Sequence, residues 1–379
     1  MAAARVSRGG CVKDVMIVGA GFAGLTLGLW CQRAGASVTV VDRGVTPGSP
    51  QGLSAAPVTV QQGLLYHHVE RWHGRDAAES VADALSLAVD DARGLIEELA
   101  VTATPIPVAT ATDDGHEAFW LRYESMAMRR VGFEPEFDDT PRLPWDVRPY
   151  PNGTGLTVEV TCLRDHLLEA FIDAGGTLSE TLPPKAGTRI SATPWPVSRG
   201  ALVRSRLRRT TWRWAEVHGL ELDRAWNMID HGEALLVPQQ NGSVAVGTRS
   251  EDPLTWLAAR GVSASIIRRW DAATCDSVDA LPFVGHLRLS GAARRSAGQR
   301  AEDLVMAGFG PWELTLGMAA ARQVFTHLST GAEFPWTPQR LVRLATVGRT
   351  VWGATRHAWN LNTVTPFPKA PRFRARHSR

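Results

Sequence analysis

A glycine-rich turn between a short apolar strand and a helix is the feature that most limits how this chain can fold. The segment Asp14–Val18 carries a continuous apolar run typical of a buried parallel strand. The sequence GAGFAG, residues 19–24, follows directly, and residues 25–34 are predicted to form a helix that ends at Gly35. A second apolar strand, Ser37–Val41, completes a unit of about thirty residues, the size of a βαβ crossover.

The spacing of the glycines matches the GxGxxG pattern of dinucleotide-binding turns. Gly19 permits the tight turn, Gly21 lets the backbone approach a diphosphate, and Gly24 allows close packing of helix on strand. The free amides and the helix dipole attract the diphosphate, and Asp42, at the tip of the second strand, is positioned to bind ribose hydroxyls and repel a 2′-phosphate. The alternative is a glycine-rich helix start without a nucleotide. The predicted cofactor-binding residues of this unit are Gly19, Ala20, Gly21, Phe22, Ala23, Gly24, Asp42 and Arg43.

Composition narrows the class of protein. With 379 residues, 44% of them hydrophobic and 21% charged, the chain is expected to be a soluble globular protein. The net charge of +3 comes from scattered arginines, so no nucleic-acid partner is predicted. The four cysteines lack CxxC spacing, which argues against a zinc site, and no apolar run is long enough to span a membrane. Without a signal peptide pattern, we expect a cytoplasmic protein.

Hydrophobic periodicity and turn residues predict further elements and an α/β fold class. A hairpin is expected across Asn241-Gly242, because this dipeptide favours a two-residue turn. We predict strands over residues 102–112, 117–121, 177–180, 234–237, 243–248 and 303–307. We predict helices over residues 76–99, 123–131, 163–174, 252–270 and 313–329.

Several segments resemble, in the same order, the D-amino-acid oxidase/glycine oxidase family. Residues 15–43, VMIVGAGFAGLTLGLWCQRAGASVTVVDR, resemble the opening of that family. The further segments are GLSAAPV (52–58), RGALV (199–203, resembling a strand), LLVPQQNGSVAVGTRSE (235–251), DALPFVG (279–285) and DLVMAGFGPWELTLGMAAARQV (303–324).

The resemblance implies a Rossmann-type FAD-binding domain with an interleaved α+β substrate domain carrying a mostly antiparallel sheet. It implies FAD as cofactor, a small-molecule amine or amino-acid-like substrate, hydride removal from the carbon beside the nitrogen, and molecular oxygen as electron acceptor. It also adds Ser54, Gly308, Gly310 and Thr315 to the predicted cofactor-binding residues. The expected domain bounds are 12–75, 150–200 and 279–335 for the FAD domain, 76–149 and 201–278 for the substrate domain, and 336–379 for a tail.

Three departures from the family pattern keep other functions open. Thr274-Cys275 stand where the family often has a carboxylate-binding arginine, Glu313 replaces a glycine beside the expected flavin, and residues 177–199 look short for the usual strands. A flavin monooxygenase acting on a specialised metabolite and a non-catalytic flavin-binding scaffold therefore stand as alternatives.

Three residues are predicted to act near the substrate. Arg249 could replace the missing arginine as a carboxylate clamp, although a solvated charge at a strand end is the simpler interpretation. His231 could face the flavin together with Glu233, and Trp312 could shape the pocket beside the C-terminal glycine turn.

Two further groups of residues are given structural interpretations. The histidines at 67, 68 and 73 are expected to be surface or loop residues without a metal. The arginines between 204 and 213 are expected on a solvated edge strand.

Overall fold

A computed structural model describes residues 14–45, 47–138, 140, 142–148, 150–183, 187–195, 201–229, 233–249, 251–287, 302–338 and 340. Its helices are α1 Phe22–Arg33, α2 Leu65–His73, α3 Arg75–Glu98, α4 Ala118–Arg130, α5 Val160–Asp173, α6 Ala201–Arg204, α7 Pro253–Ala258 and α8 Met318–Thr330, with a π-helical turn at Glu313–Gly317. Its strands are β1 Asp14–Val18, β2 Ser37–Val41, β3 Val58–Thr59, β4 Ala103–Ala111, β5 Glu136–Asp138, β6 Tyr150–Val158, β7 Thr177–Ser179, β8 Thr188–Ser191, β9 Leu207–His218, β10 Ala225–Met228, β11 Ala234–Pro238, β12 Val244–Thr248, β13 Ser265–Ser277, β14 Phe283–His286 and β15 Glu302–Ala307.

The smaller sheet has six strands in the order β14-β15-β8-β1-β2-β7. Only β14 runs antiparallel to its neighbour; the other pairings are parallel. Strand β1 has no exposed side chain beyond Asp14 because it is central and covered by helices, which explains its continuous apolar run. This arrangement confirms the predicted Rossmann-type unit.

The larger sheet has nine strands and is antiparallel except for the pairing of β4 with β10. Its main path is β13-β9-β12-β11-β10-β4-β6-β3, and β5 pairs with β6. The predicted hairpin is confirmed, since β11 pairs with β12 across Asn241-Gly242 and Gly242 adopts a φ of +77°. Strands from several distant segments build this sheet, so the α/β class with an interleaved antiparallel sheet is confirmed as well.

Helix α1 packs on strands β1 and β2 and against helices α5 and α8. Gly28 of α1 faces Phe171 of α5 and Val40 of β2, each 3.2 Å from the position that a Cβ would take. A larger residue at this position would push the helix off the sheet. The N-terminus of α1 is therefore fixed beside the carboxyl end of β1, where ligands bind in open α/β sheets.

Two predicted elements of the substrate region were wrong. Residues 117–121 begin helix α4 instead of forming a strand, because Leu121 and Met128 lie on the same buried helical face. Residues 252–270 contain only the short helix α7; a turn follows it, and residues 265–270 begin strand β13, whose pairing with β9 overrides the helical pattern.

The predicted edge strand around residues 204–213 was also wrong. Strand β9 lies between β12 and β13 and is paired on both sides, with Trp212 and Trp214 buried on one face. The RGALV segment does not form the strand its resemblance implied: residues 201–204 make a helical turn, and residues 199 and 200 lie outside the described part. Residues 177–199, which looked too short, supply both β7 and β8.

The predicted domain bounds and C-terminal tail stay predictions. Strand β6, in a segment predicted for the FAD domain, pairs within the larger sheet, and the domain bounds remain a prediction. The predicted tail lies outside the described residues except for 336–338 and 340. No helix in the described ranges has the length and apolar character needed to cross a membrane.

Candidate cofactor site

The glycine-rich turn adopts the conformation that its spacing predicts. Gly19 has a φ of +115°, and a Cβ there would lie 2.7 Å from the carbonyl oxygen of Ala192, so residue 19 must be glycine. A Cβ on Gly24 would overlap the carbonyl oxygen of Gly19, which confirms the close helix–strand approach. Gly21 is the N-cap of α1 and provides no side-chain acceptor for the first helical amides.

Asp42 lies directly beside this turn. Its carboxylate accepts hydrogen bonds from the N–H groups of Ala20 (2.8 Å) and Gly44 (3.0 Å). These contacts fix the side chain at the end of β2, while a carboxylate retains further acceptor positions for ribose hydroxyls. Arg43, the next predicted residue, is exposed.

The first amides of α1 already have an anionic acceptor, the side chain of Glu313. The N–H groups of Phe22 and Ala23 donate to its carboxylate, which lies where a Cβ on Gly21 would be placed. Burial raises the pKa of Glu313 to about 7, although the two amide hydrogen bonds favour the charged form. The anion site predicted for a diphosphate therefore holds a carboxylate of the same chain.

The loop after β2 runs beside the π-helical turn. Ser54 is buried, and its hydroxyl accepts a hydrogen bond from the N–H of Ala56 (3.3 Å). The N–H of Thr59 donates to Oγ1 of Thr315 (3.1 Å), and the Thr315 side chain is fully buried. The predicted residues Ser54 and Thr315 are thus both buried, and Thr315 is already engaged with the backbone of the loop.

The C-terminal glycine turn follows β15. Gly308 and Gly310 have φ values of +92° and +56°, conformations in which glycine is strongly favoured. The N–H of Gly310 donates to the carbonyl of Cys275 (2.8 Å), and a Cβ on Gly310 would lie 2.6 Å from Oδ1 of Asp276. Trp312 is buried in the core and is the N-cap of the π-helical turn, and its role in shaping a pocket stays a prediction.

Arg249 is not the solvated strand-end charge that the simpler interpretation favoured. Only 16% of its side chain is exposed, and its guanidinium forms ion pairs with Glu233 and Asp276. A further contact reaches Oγ1 of Thr210 (3.3 Å). Burial lowers the pKa of Arg249, but the two carboxylates outweigh it and raise the pKa overall. Because Asp276 touches Gly310, this ionic cluster lies against the C-terminal turn.

The remaining predicted residues are placed as follows. His231 lies outside the described residues, so its role stays a prediction. The histidines at 67, 68 and 73 are on helix α2 instead of a loop. Burial lowers the pKa of His68 to about 4, and Glu233 is near enough to oppose that shift.

Within the described ranges, one group of side chains has potential ligand atoms close enough together to hold a metal ion: His286, Glu302 and His327. This group lies at the end of β15 opposite to Gly308.

Sequence reasoning missed two buried glutamines after β3. The amide of Gln61 donates to Thr110 Oγ1 (3.0 Å) and to the carbonyl of Pro151 (2.9 Å), and the amide of Gln62 donates to the carbonyl of Thr59 (3.0 Å). The carbonyl oxygens of both side chains are buried without a partner among the described residues. A polar pair directly after an apolar strand was the available signal, but it does not reveal burial.

Comparisons with known proteins agree with this architecture. Residues 14–149 match the family model described as "FAD binding domain". This match confirms FAD as the predicted cofactor. No curated protein matches the chain in sequence.

Solved structures with the same fold cover most of the chain. The L-proline dehydrogenase from P. horikoshii has a TM-score of 0.66 at 12% identity and covers 87% of this chain and 98% of its own. The glycine oxidase from Geobacillus kaustophilus has a TM-score of 0.64 at 15% identity, covering 87% and 99%. The iminodiacetate oxidase from a Chelativorans species has a TM-score of 0.60 at 17% identity, covering 86% and 98%. The chain therefore has the fold of these three proteins.

The residues at the α1 N-terminus fit the diphosphate of FAD. The N–H groups of Phe22 and Ala23 both donate to one carboxylate, so they converge on a shared acceptor, as the binding of a phosphate group would require. The turn at Gly19 and the acid at Asp42 complete the predicted set. The fit requires one change: the hydrogen bonds from the N–H groups of Phe22 and Ala23 to Glu313 must break when a diphosphate binds these groups.

Proposed function

We propose that this chain is an FAD-dependent oxidoreductase that oxidises a C–N bond of an amine or amino-acid-like substrate. The observation that carries the proposal is an anion-binding helix N-terminus at the carboxyl end of β1, within a fold shared with proline, glycine and iminodiacetate oxidoreductases. By their names, these proteins act on proline, glycine and iminodiacetate, which all contain an amine nitrogen.

The residues that would hold the cofactor fall into two groups. The amides of Phe22 and Ala23 bind the diphosphate, with Gly21 leaving room for its approach, and Asp42 binds the ribose. At the other end, we assign the flavin ring to the side of the glycine turn at 308–310 and the loop containing Ser54, where the glycines leave the backbone uncovered. Bound FAD supplies a hydride acceptor for the carbon that carries the substrate nitrogen.

The ionic cluster of Arg249 sets the charge of the proposed substrate side. Two carboxylates flank the guanidinium of Arg249, so its positive charge is already neutralised before a substrate binds. A substrate carboxylate would have to compete with Glu233 or Asp276 for Arg249, whereas an amine nitrogen finds carboxylate oxygens nearby. The geometry therefore favours amines, or substrates whose carboxylate is bound elsewhere, over simple α-amino acids.

The direct test is anaerobic mixing of FAD-loaded protein with a panel of amines and amino acids. We expect the flavin absorbance to bleach with at least one amine and to return when air is admitted, with oxygen as the electron acceptor. Bleaching only by NADPH or NADH would replace the proposal with a monooxygenase-type reaction. Gly21→Asp serves as the control, because it adds a second acid at the anion site and should prevent FAD loading.

A second candidate function rests on Glu313 alone. If its carboxylate keeps the amides of Phe22 and Ala23 even with excess FAD present, the chain is a scaffold that shares the fold without the chemistry. Bound FAD that no amine, amino acid or nicotinamide reduces would also support this second function.

A further inference from the structure

We propose that Glu313 is an internal competitor for the diphosphate of the cofactor, and that it sets the FAD affinity of this chain. The inference rests on the proposed function, because it concerns the same anion site. It assigns a role to a residue that stands where the resembling family has a glycine.

Glu313 occupies the hydrogen-bond donors that a diphosphate would use. Helix α1 has no side-chain cap of its own and no acidic residue in its first turn. Its first amides therefore need an external acceptor, and the carboxylate of Glu313 accepts from two of them, at Phe22 and Ala23. A diphosphate bound to the same helix N-terminus would use the same two donors.

Glu313 also occupies the space that a diphosphate would need. The Glu313 carboxylate fills the volume directly over Gly21, where the missing side chain would otherwise give a diphosphate its closest approach. Two anions cannot share this volume, since both steric overlap and charge repulsion oppose it.

The Glu313 side chain has little room on its inner side. Behind the helix, a cavity of about 10 Å³ is lined mainly by apolar residues including Phe22, Val58 and Leu314, with Thr26 as its one polar lining residue. This space holds about one water molecule and is too small for a carboxylate. Gly317 also packs tightly, since a Cβ there would lie 3.3 Å from Cγ of Glu313 and 3.0 Å from Cβ of Ala23. Glu313 is half-buried, so we expect its side chain to move toward solvent when it is displaced.

The test is a set of binding titrations with the full-length apoprotein. FAD, ADP and riboflavin are titrated separately into wild type, Glu313→Ala and Glu313→Gln, with binding followed by calorimetry. We expect Glu313→Ala to bind FAD and ADP about tenfold more tightly, the scale of one competing charged group at a helix N-terminus. Glu313→Gln keeps the size of the side chain without its charge, so its affinities for FAD and ADP should lie between those of wild type and Glu313→Ala. Riboflavin, which has no diphosphate, should bind all three proteins equally.

A matched control is available in Glu124. Its buried carboxylate caps helix α2 in the same manner, accepting from the N–H groups of Tyr66 (3.1 Å) and His67 (2.8 Å). Glu124→Gln therefore measures the general effect of removing a capping carboxylate and should leave the affinity for ADP unchanged.

The outcomes separate the two proposals. Equal or weaker FAD and ADP binding by both Glu313 variants, with wild type binding FAD, overturns the competitor role and leaves the proposed function standing. Failure of wild type and both variants to bind FAD or ADP rejects both. Binding by the variants but not by wild type supports the competitor role and favours the scaffold function.

Discussion

The carboxylate of Glu313 and the Cα of Gly21 face each other across the N-terminus of helix α1, so closely that a Cβ on residue 21 would have to displace this carboxylate. Gly21 belongs to the first βαβ crossover of the chain, and Glu313 begins the π-helical turn that leads into α8. This contact joins the predicted dinucleotide turn to the C-terminal turn, so a change at either residue should alter cofactor binding.

Gly21→Ala should weaken FAD binding by at least about tenfold. The added methyl group occupies the volume that a diphosphate needs, and the loss of one optimal charge-assisted hydrogen bond accounts for a factor of this size. Equilibrium titration with FAD measures the change. Gly94→Ala is the matched control, since a Cβ at that exposed helical position meets nothing within 4 Å. Unchanged affinity in Gly21→Ala would contradict the diphosphate assignment.

Asp42→Ala should weaken FAD and ADP binding alike, while riboflavin binding should not change. The substitution removes the proposed ribose acceptor and leaves the amides of Ala20 and Gly44 without their carboxylate. Competition between ADP and FAD, followed by flavin fluorescence, compares the two ligands. Asp90→Asn, at an exposed position on α3, controls for the loss of an acidic charge. Unchanged affinity for ADP together with weaker binding of riboflavin would argue against a contact between Asp42 and the ribose.

How much of this site could be predicted from the sequence depends on how far apart its residues lie along the chain. The turn at Gly19 and the acid at Asp42 were predictable because strand, turn and helix are consecutive and each glycine has a local steric reason. The replacement of a glycine by Glu313 was noticeable, but its contact with Phe22 and Ala23 depends on how α8 packs against α1.

The ionic cluster shows the same limit. Arg249 was predicted as a binding residue, yet its partners come from elsewhere: Glu233 directly precedes β11 and Asp276 lies on β13, and only strand register brings them together. Residues 265–270 of β13 were predicted to continue a helix. Tertiary pairing with β9 decides its conformation.

Arg249→Met should lower kcat/KM for the amine substrate while leaving FAD affinity unchanged. Removing the guanidinium leaves Glu233 and Asp276 without their shared cation, and the unfolding free energy should fall by about 1–2 kcal/mol. Steady-state kinetics and chemical denaturation give the two values. Arg249→Lys should restore charge without the bidentate geometry and recover stability only in part. Full activity in Arg249→Met would exclude this cluster from the substrate side.

The stability of the cofactor-free protein should depend on Glu313 between pH 4.5 and about pH 7. Its pKa is raised in the folded state from the usual value of 4.5 to about 7. Below pH 4.5, Glu313 is protonated in both the folded and the unfolded state, and its full contribution to the unfolding free energy is present. As the pH rises to about 7, the unfolded state loses this proton first, so the unfolding free energy falls. Glu313→Gln should therefore gain stability relative to wild type across this interval, measured as a difference in thermal midpoint.

Glu124 extends the same comparison to a slightly higher pH. Burial raises its pKa to about 8, so the gain of Glu124→Gln over wild type should continue to about pH 8. A constant difference in thermal midpoint at all pH values, for either variant, would contradict the corresponding raised pKa.

The most direct measurement is a calorimetric titration of FAD into wild-type apoprotein, repeated in the presence of saturating ADP. A helix N-terminus that holds the ADP half of the cofactor predicts one FAD bound per chain and a large loss of apparent affinity when ADP is present. No uptake of FAD, or uptake that ADP leaves unchanged, would contradict the account.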